Sequence, residues 1–456
     1  MNVYSPATSL CAAIQLTNGA NTVWNISNNS IYWTNNKSST AATADYFYGI
    51  RITGGNGANF TISGNFIGGT AVNCGGTPMT ISNNTFGNKI SAIDINTSTV
   101  GIASSIQGNT IANIALATNS NKSTAPFIFS GIIVSGLVNI GNLTANTIGS
   151  NLIAGSISVT TSATGAGGTV CGIGVQGASS NCNIANNVVS GISLLNGTGT
   201  RTMSFYGIII FAGTAVVTGN TVGSGTLANS IINSTGNASA DVTYIVGISH
   251  APSASVSSIS NNLLANINYN ATGSNVILWG ISSSSAGPAL ISGNTIRNFT
   301  YSCVGTLYDG LVGIYTNGNE IITQNSVYSL VNTSAISDSY IAGILAYGGG
   351  TPTITRNLVY GIVNNNKVTN YTFGILVSAT NGEISNNMVS LGSAVTNACS
   401  FRGISIENIG NYNVFFNSVV ITGSSSGTNA DSYAFTTSFG TVNSRNNILY
   451  NDRLQA

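Results

Sequence analysis

Apolar residues recur along the chain in a fixed relation to one asparagine. Aligning the sequence on the phrase I-S-N-N-x-I shows that the residue two positions after this asparagine is always apolar. The residue three positions before it is apolar in every unit except the last, which has Ser444. The pattern predicts two short strands, one on each side of the asparagine. The fourteen anchor asparagines are Asn29, Asn65, Asn84, Asn109, Asn146, Asn187, Asn220, Asn262, Asn294, Asn325, Asn357, Asn387, Asn417 and Asn447.

A tight bend is predicted just before each anchor. That position holds Gly or Asn in most units, for example Asn28 and Gly64, and these residue types tolerate a left-handed backbone. A second phrase, G-I-x-V, precedes most anchors, as in Gly49-Ile50-Arg51-Ile52, and its alternation is typical of a strand with one buried face. Each unit therefore supplies two or three short strands and a polar loop of variable length.

Such a unit cannot bury its apolar face alone, so the units are expected to stack with their strands paired in parallel. We therefore predict an all-β fold, a right-handed parallel β-helix of about fourteen coils that forms one domain over residues 1–456. The anchor asparagines are predicted to point inward and hydrogen-bond to the same residue in the coils above and below. A buried polar ladder is stable only when its members satisfy one another.

This pattern resembles the pectin-lyase-like superfamily of right-handed parallel β-helices, whose members often carry an asparagine ladder at such a bend. The resemblance extends from about Ala13 to Tyr450. The superfamily includes polysaccharide lyases, glycoside hydrolases, phage tailspikes and adhesins, so the resemblance specifies the fold more closely than the function. The asparagine-rich repeats are most similar to large secreted surface proteins of bacteria, which implies an extracellular or cell-surface location.

The composition of the chain limits the kinds of molecule that it is expected to bind. Charged residues form 5% of the chain, and 11 Lys+Arg stand against 10 Asp+Glu, so the basic cluster that nucleic acid requires is absent from the sequence. The most apolar stretch, residues 203–219, falls in register with the repeat and predicts strands, with no membrane span. The start of the chain lacks the pattern of a signal peptide. Of the six cysteines, Cys171 and Cys182 are near enough to bridge, and buried free thiols are the alternative.

Candidate chemistry lies in the residue that follows the isoleucine of G-I-x-V, which should point outward. Lyases and hydrolases of the resembled superfamily place calcium-binding carboxylates with a basic residue, or several aspartates, on such positions. The row found here contains one carboxylate, whereas glycoside hydrolysis normally uses two and a calcium site several. We therefore expect no catalysis, no metal and no cofactor, with Ca²⁺ needed only if the protein is a lyase. This polar row consists of Gln15, Arg51, Asn73 and Asp94.

The same outward row becomes apolar further along the chain. A contiguous exposed apolar stripe would mark a partner surface, and the alternative is that the long polar loops cover it. His250, the only histidine, falls on an inward position and is expected to be a hydrogen-bonded core residue. The apolar contact stripe consists of Ile209, Tyr315, Leu345 and Leu376.

Aromatic residues recur immediately before the glycine of the G-I-x-V phrase. Strict alternation would place them in the core, although residues of this kind also form sugar-stacking platforms. We expect the core position. These residues are Tyr48, Tyr206, Trp279, Phe373 and Tyr433.

The repeat reaches almost to both termini without an evident cap. Solenoid ends need covering, so we expect the chain to be part of a longer protein, with flanking domains or like subunits at its ends. The function predicted is a structural or adhesive module that contacts polysaccharide or cell-surface glycans. A polysaccharide lyase or glycoside hydrolase is the first alternative, and a subunit of an end-to-end filament is the second.

Overall fold

Stacked parallel strands build the whole described part of the molecule. The structure is a computed structural model that describes residues 10–17, 19, 22–39, 46–83, 87–120, 127–163, 167–198, 201–236, 242–251, 258–271, 275–284, 288–303, 310–334, 340–365, 371–393, 399–425 and 430–455. Every strand pairing in these segments is parallel and joins one coil to the next. The predicted all-β parallel solenoid is thus confirmed.

Stack 1 contains the strands of the G-I-x-V phrases. Each strand has an outward side chain with one inward side chain before it and one after it, as in Ile50, Arg51 and Ile52. The strands are Leu10–Thr17, Tyr46–Thr53, Lys89–Asn96, Phe129–Ile140, Thr169–Ala185, Ser204–Ile210, Thr243–His250, Val276–Ser283, Gly310–Thr316, Tyr340–Gly348, Tyr371–Ala379, Ser400–Ile406 and Ser432–Thr437.

Stack 2 contains the strands that precede the anchor asparagines and forms one sheet with stack 1. Two strands of stack 1, Phe129–Ile140 and Thr169–Ala185, are long enough to continue into it. Its other strands are Asn25–Ser27, Thr61–Ser63, Ser104–Gln107, Thr214–Thr218, Ser258–Ser260, Leu290–Ser292, Ile321–Thr323, Thr353–Thr355, Gly382–Ser385, Asn411–Phe415 and Thr441–Arg445.

Stack 3 contains the strands that follow the anchors and lies in the second large sheet. They are Ser30–Ile31, Phe66–Ile67, Thr110–Ile111, Thr147–Gly149, Val188–Ser190, Thr221–Gly223, Leu263–Ala265, Thr295–Ser302, Ser326–Asn332, Leu358–Asn364, Met388–Leu391, Ser418–Ile421 and Ile448–Asn451. In the early coils the same sheet continues with Lys37–Ser39, Met79–Asn83, Ile114–Thr118, Ile157–Thr161, Ile192–Asn196, Ile231–Asn233 and Ile267–Asn270. The remaining elements are the 3-10 turn Val72–Cys74 and the small pair Ser424–Ser425 with Leu454–Gln455.

One apolar core runs along the axis between the stacks. A single coil shows how it is filled: Ile281 of stack 1, Ile291 of stack 2 and Ile296 of stack 3 are all fully buried. The bend before the anchor has the predicted left-handed backbone, with φ of 58° at Asn28 and 63° at Gly64. Burial of a continuous row of isoleucine and valine in every stack is the main stabilising contribution.

The asparagine ladder is present and fully hydrogen-bonded inside the rod. From Asn65 onward, each linked anchor Oδ1 accepts from both the backbone N–H and the Nδ2 of the asparagine one coil earlier, at 2.8 to 3.2 Å. The second Nδ2 proton is donated to a stack 2 carbonyl of the preceding coil, as from Asn294 to Ile259 at 2.9 Å. Thirteen of the predicted anchors are linked in this way among the described residues, from Asn29 to Asn447.

The fourteenth anchor, Asn84, lies outside the described residues. Asn65 donates directly to Asn109, so the ladder has no place for another member between them. The strand Met79–Asn83 before Asn84 pairs with Lys37–Ser39 and Ile114–Thr118 in the second sheet, whereas stack 2 belongs to the first. The phrase around Asn84 therefore belongs to an extra strand within one long coil, and the described chain has thirteen stack 1 strands where fourteen coils were predicted.

Candidate functional site

The polar row of stack 1 is partly assembled as predicted. Gln15, Arg51 and Asp94 are register partners on three successive coils, and Ile133 follows them. Asn73 is not in the row, which corrects the prediction. It lies in the 3-10 turn Val72–Cys74, where its backbone N–H is 3.2 Å from Ser30 Oγ. The predictions for Asn73 and Asn84 fail for the same reason. The repeat pattern predicts a full coil there, whereas the structure has only an insertion within one coil.

Asp94 has an altered acidity. Burial raises the pKa of its carboxyl from 3.8 to about 6, and the positive charge of Arg51 on the preceding coil opposes that rise. The Arg51 guanidinium lies over the Tyr48 ring at 4.6 Å from the centroid, and burial together with Asp94 raises the pKa of the Tyr48 phenol to about 12. The row thus holds one proton-binding group near neutrality and one cation beside it.

The chemistry available to this row is narrow. Within the described segments no group of three or more His, Cys, Asp or Glu side chains is close enough to hold a metal ion. Lys89, at the start of the same strand as Asp94, lies over the Tyr46 ring at 4.1 Å. The arrangement can accept a hydrogen bond or a proton at Asp94 and can present Arg51 and the tyrosines to a polar ligand.

The predicted apolar stripe is largely covered, since three of its four residues are buried and Tyr315 is partly exposed. Tyr315, Leu345 and Leu376 are register neighbours, whereas Ile209 is separated from them by Ser249 and Ser282. The exposed fractions of Ile209, Leu345 and Leu376 are 4%, 5% and 8%.

Two small apolar clusters outside the main core bury this stripe. One cluster joins Leu345 and Leu376 to Val312, Ala342 and Phe373, with Trp279, Tyr315 and Tyr340 against them. The other joins Ile209 to Phe127, Ile133 and Cys171. Among the described residues, the apolar contact stripe is thus covered by a second layer of apolar side chains outside the main core.

The aromatic residues before the glycine do not point into the main core, and the prediction that they do is wrong. Tyr206, Trp279 and Phe373 belong to or pack against the two outer clusters, and Tyr433 is 46% exposed. The glycine breaks the alternation on which the prediction relied, since the strand register passes from Tyr48 to Ile50 without a pair at Gly49.

The glycine itself is required by a close approach between coils. A Cβ at Gly313 would lie 2.3 Å from Val327 Cγ1 and 2.6 Å from the Gly343 carbonyl oxygen. The same clash with the next carbonyl recurs at Gly172, Gly207, Gly247, Gly280, Gly343 and Gly374. At these positions a side chain would collide with the next coil at its present spacing, whereas near the two ends the row accepts alanine, at Ala92 and Ala434.

A charged group follows the apolar contact stripe on its C-terminal side. Arg402 is the register partner of Phe373, lies over the Tyr371 ring at 4.1 Å and is paired with Glu407 at 2.6 Å. Ser405 Oγ donates to the same carboxylate at 3.0 Å. The aromatic side chains of stack 1 are therefore followed by a cation, Arg402, whose charge Glu407 balances.

His250 is a hydrogen-bonded core residue, as predicted. Its Nδ1 is 3.2 Å from Ser283 Oγ, which donates to Glu320 Oε1 at 2.9 Å, and all three side chains are buried. The serine thus lies between the histidine and the carboxylate, whereas nucleophilic triads place the histidine in the middle.

All six cysteines are free thiols, including Cys171 and Cys182. Both are buried, and burial raises the pKa of the Cys182 thiol to about 12. Among the described residues there is no helix with the length and apolarity needed to cross a membrane. No family model, curated protein or solved structure matches the chain.

Proposed function

We propose that this chain is a structural and adhesive module of a secreted or cell-surface protein, and that it contacts glycans without transforming them. The observation that carries the proposal is the uninterrupted asparagine ladder. Thirteen coils at ~4.8 Å each give a rod of roughly 60 Å. Buried amides that are satisfied only by their axial neighbours favour a stiff rod with one register.

Family and location are proposed on the same ground. A parallel β-solenoid with an inward asparagine at the bend supports membership of the pectin-lyase-like superfamily, although the fold is shared by unrelated activities. The low charge and the asparagine-rich repeats support a bacterial surface protein exported from the cell. Polysaccharides or cell-surface glycans are the partners that this reading favours, and nucleic acid is not.

A second candidate function, polysaccharide lyase or glycoside hydrolase, is favoured by the Arg51–Asp94 pair. A carboxyl group with a pKa of about 6 is suited to general acid or base catalysis near neutral pH. Glycoside hydrolysis normally needs a second carboxylate within about 10 Å, and the outward neighbours of Asp94 in the row are Arg51 and Ile133. The adhesive function therefore accounts better for the row.

The test is a glycan-array screen run beside lyase and hydrolase assays on pooled acidic and neutral polysaccharides, with and without calcium. Asp94→Asn is compared with Asp431→Asn, which changes an exposed aspartate just before the last stack 1 strand. We expect binding without turnover in all three proteins. Turnover that Asp94→Asn abolishes and Asp431→Asn leaves intact would overturn the adhesive proposal in favour of the enzyme.

A further inference from the structure

The outer face of stack 3 carries an exposed apolar surface that sequence reasoning missed. In the later coils alternate residues of this stack point outward in two rows. Leu358 and Met388 are neighbours in the first row, and Tyr328, Tyr360, Ser390 and Val420 follow one another in the second. Tyr360 is 37% exposed and Met388 is 59% exposed, although each strand also supplies a buried core residue between its outward positions.

Two tyrosines of the second row are stacked on one another. The ring centroids of Tyr328 and Tyr360 are 4.7 Å apart and the ring planes differ by 8°. Since adjacent coils are also ~4.8 Å apart, the two ring centroids are displaced mainly along the rod axis. One face of Tyr360 packs on Tyr328, so its other face is on the side of the next coil.

Among the described residues, the next coil places only a small side chain beside that ring face. Its residue in the row is Ser390, a small side chain, and Val420 follows one coil later. Two coil steps span roughly 9.6 Å. A flat ring in van der Waals contact on both sides needs about 7 to 8 Å. From these spacings we expect Tyr360 and Val420 to border a slot about one ring thick, with Ser390 between them and Met388 in the adjacent row.

We propose that this slot, formed by Tyr360, Ser390, Val420 and Met388, binds one ring of a neutral polysaccharide. A pyranose presents an apolar C–H face that packs on an aromatic ring, while its hydroxyl groups need hydrogen-bonding partners at the rim. Asn386 is exposed at the bend just before the strand of Met388 and Ser390 and is a neutral donor close to them in sequence. The four slot side chains carry no charge, which favours a neutral sugar over an acidic one.

The dimensions favour a thin chain over a second copy of this protein. The surface from Tyr328 to Val420 covers three coil steps, roughly 14 Å, and about two rows of side chains, which gives roughly 150 to 300 Å². A stable protein interface buries about 800 Å² on each partner. This inference rests on the proposed glycan contact and assigns it a site.

The experiment measures binding of the full chain to soluble hexamers of β-1,4-linked glucose and N-acetylglucosamine, with polygalacturonate as the acidic probe. Ser390→Tyr places a third ring on the stack and fills the slot without opening the core, and Tyr360→Ala removes the wall. Tyr347→Ala is the control, because Tyr347 is 53% exposed on stack 1. We expect a neutral hexamer to bind at least about fivefold more weakly to both slot variants and unchanged to the control.

Failure of the proposed slot and failure of the proposed adhesive function give different results. Neutral binding that Ser390→Tyr leaves unchanged would overturn the slot and leave the adhesive function standing, as would binding of polygalacturonate alone. Dimerisation lost in Ser390→Tyr would show that a second copy occupies the face. If an array of neutral and acidic glycans shows no binding at all, both the slot and the proposed glycan contact fail. The melting temperature of Ser390→Tyr should equal or exceed that of the parent protein, because an added ring extends the tyrosine stack.

Discussion

Replacing one asparagine in the middle of the ladder tests how much the buried amides contribute. Asn294 is fully buried and makes four ladder hydrogen bonds. Its Oδ1 accepts from the backbone N–H and Nδ2 of Asn262, and its Nδ2 donates to Asn325 Oδ1 and to the Ile259 carbonyl. Asn294→Ala removes all four, while the backbone N–H of residue 294 can still donate to Asn325.

The expected loss follows from the groups that remain. The Asn262 N–H, one Asn262 Nδ2 proton and the Ile259 carbonyl keep no ladder partner, and each buried unsatisfied group costs about 1 to 3 kcal/mol. Local relaxation lowers the sum, so we expect the free energy of unfolding to fall by about 3 to 5 kcal/mol. Because the coils interact only with their neighbours, the loss should be concentrated in the coils that contain Asn262, Asn294 and Asn325.

The assay is urea denaturation combined with native-state hydrogen exchange. Asn413→Ala is the matched control, since Asn413 is an exposed asparagine of stack 2, and its loss should stay within about 0.5 kcal/mol. Amides in the three coils around Asn294 should exchange faster while those near Asn109 do not change. A loss for Asn294→Ala no larger than that of the control would refute the role given to the ladder.

Three further outcomes follow from particular contacts. Gly313→Ala should lower the free energy of unfolding by about 2 kcal/mol, because the added Cβ would collide with Val327 and the Gly343 carbonyl. Gly349→Ala is the control and should cause no such loss, since no atom lies nearer than 3.9 Å to its Cβ. Equal urea midpoints for the two variants would contradict the close approach. The folded protein holds the Asp94 proton to about pH 6, so its stability relative to Asp94→Asn should fall by about 2 kcal/mol as pH rises from 4 to 6, and a flat difference would contradict that raised pKa. Unfolded protein should titrate as six thiols without reductant, and fewer would reveal a disulfide.

The sequence predicted the stacked solenoid and its ladder because both depend on short repeated patterns. The apolar residues around each anchor and the Gly or Asn at the bend are local features of one coil, and most coils have all of them. The phrase around Asn84 satisfies the same local pattern without forming a coil. The missing signal was a G-I-type strand, since none lies between Asn65 and Asn84.

The site was less predictable, because it depends on which side chains meet across coils. Alternation failed at each glycine and wrongly assigned Tyr206 and Trp279 to the core. The link from His250 through Ser283 to Glu320 joins residues on three coils that are 33 and 37 positions apart. The spacing of one coil could have brought Tyr328 and Tyr360 together, since they lie 32 residues apart in units of similar length.

The coil between Asn65 and Asn109 offers the most direct test of the stacked account. Thr61 and Ser105 are parallel register partners in stack 2, so their Cα atoms lie within the range that a disulfide can span. Thr80 occupies the equivalent position before Asn84. The measurement is mass-spectrometric detection of an oxidised cross-link in two double variants. We expect Thr61→Cys with Ser105→Cys to cross-link and Thr61→Cys with Thr80→Cys not to, and the opposite result would contradict the stacking order on which the ladder depends.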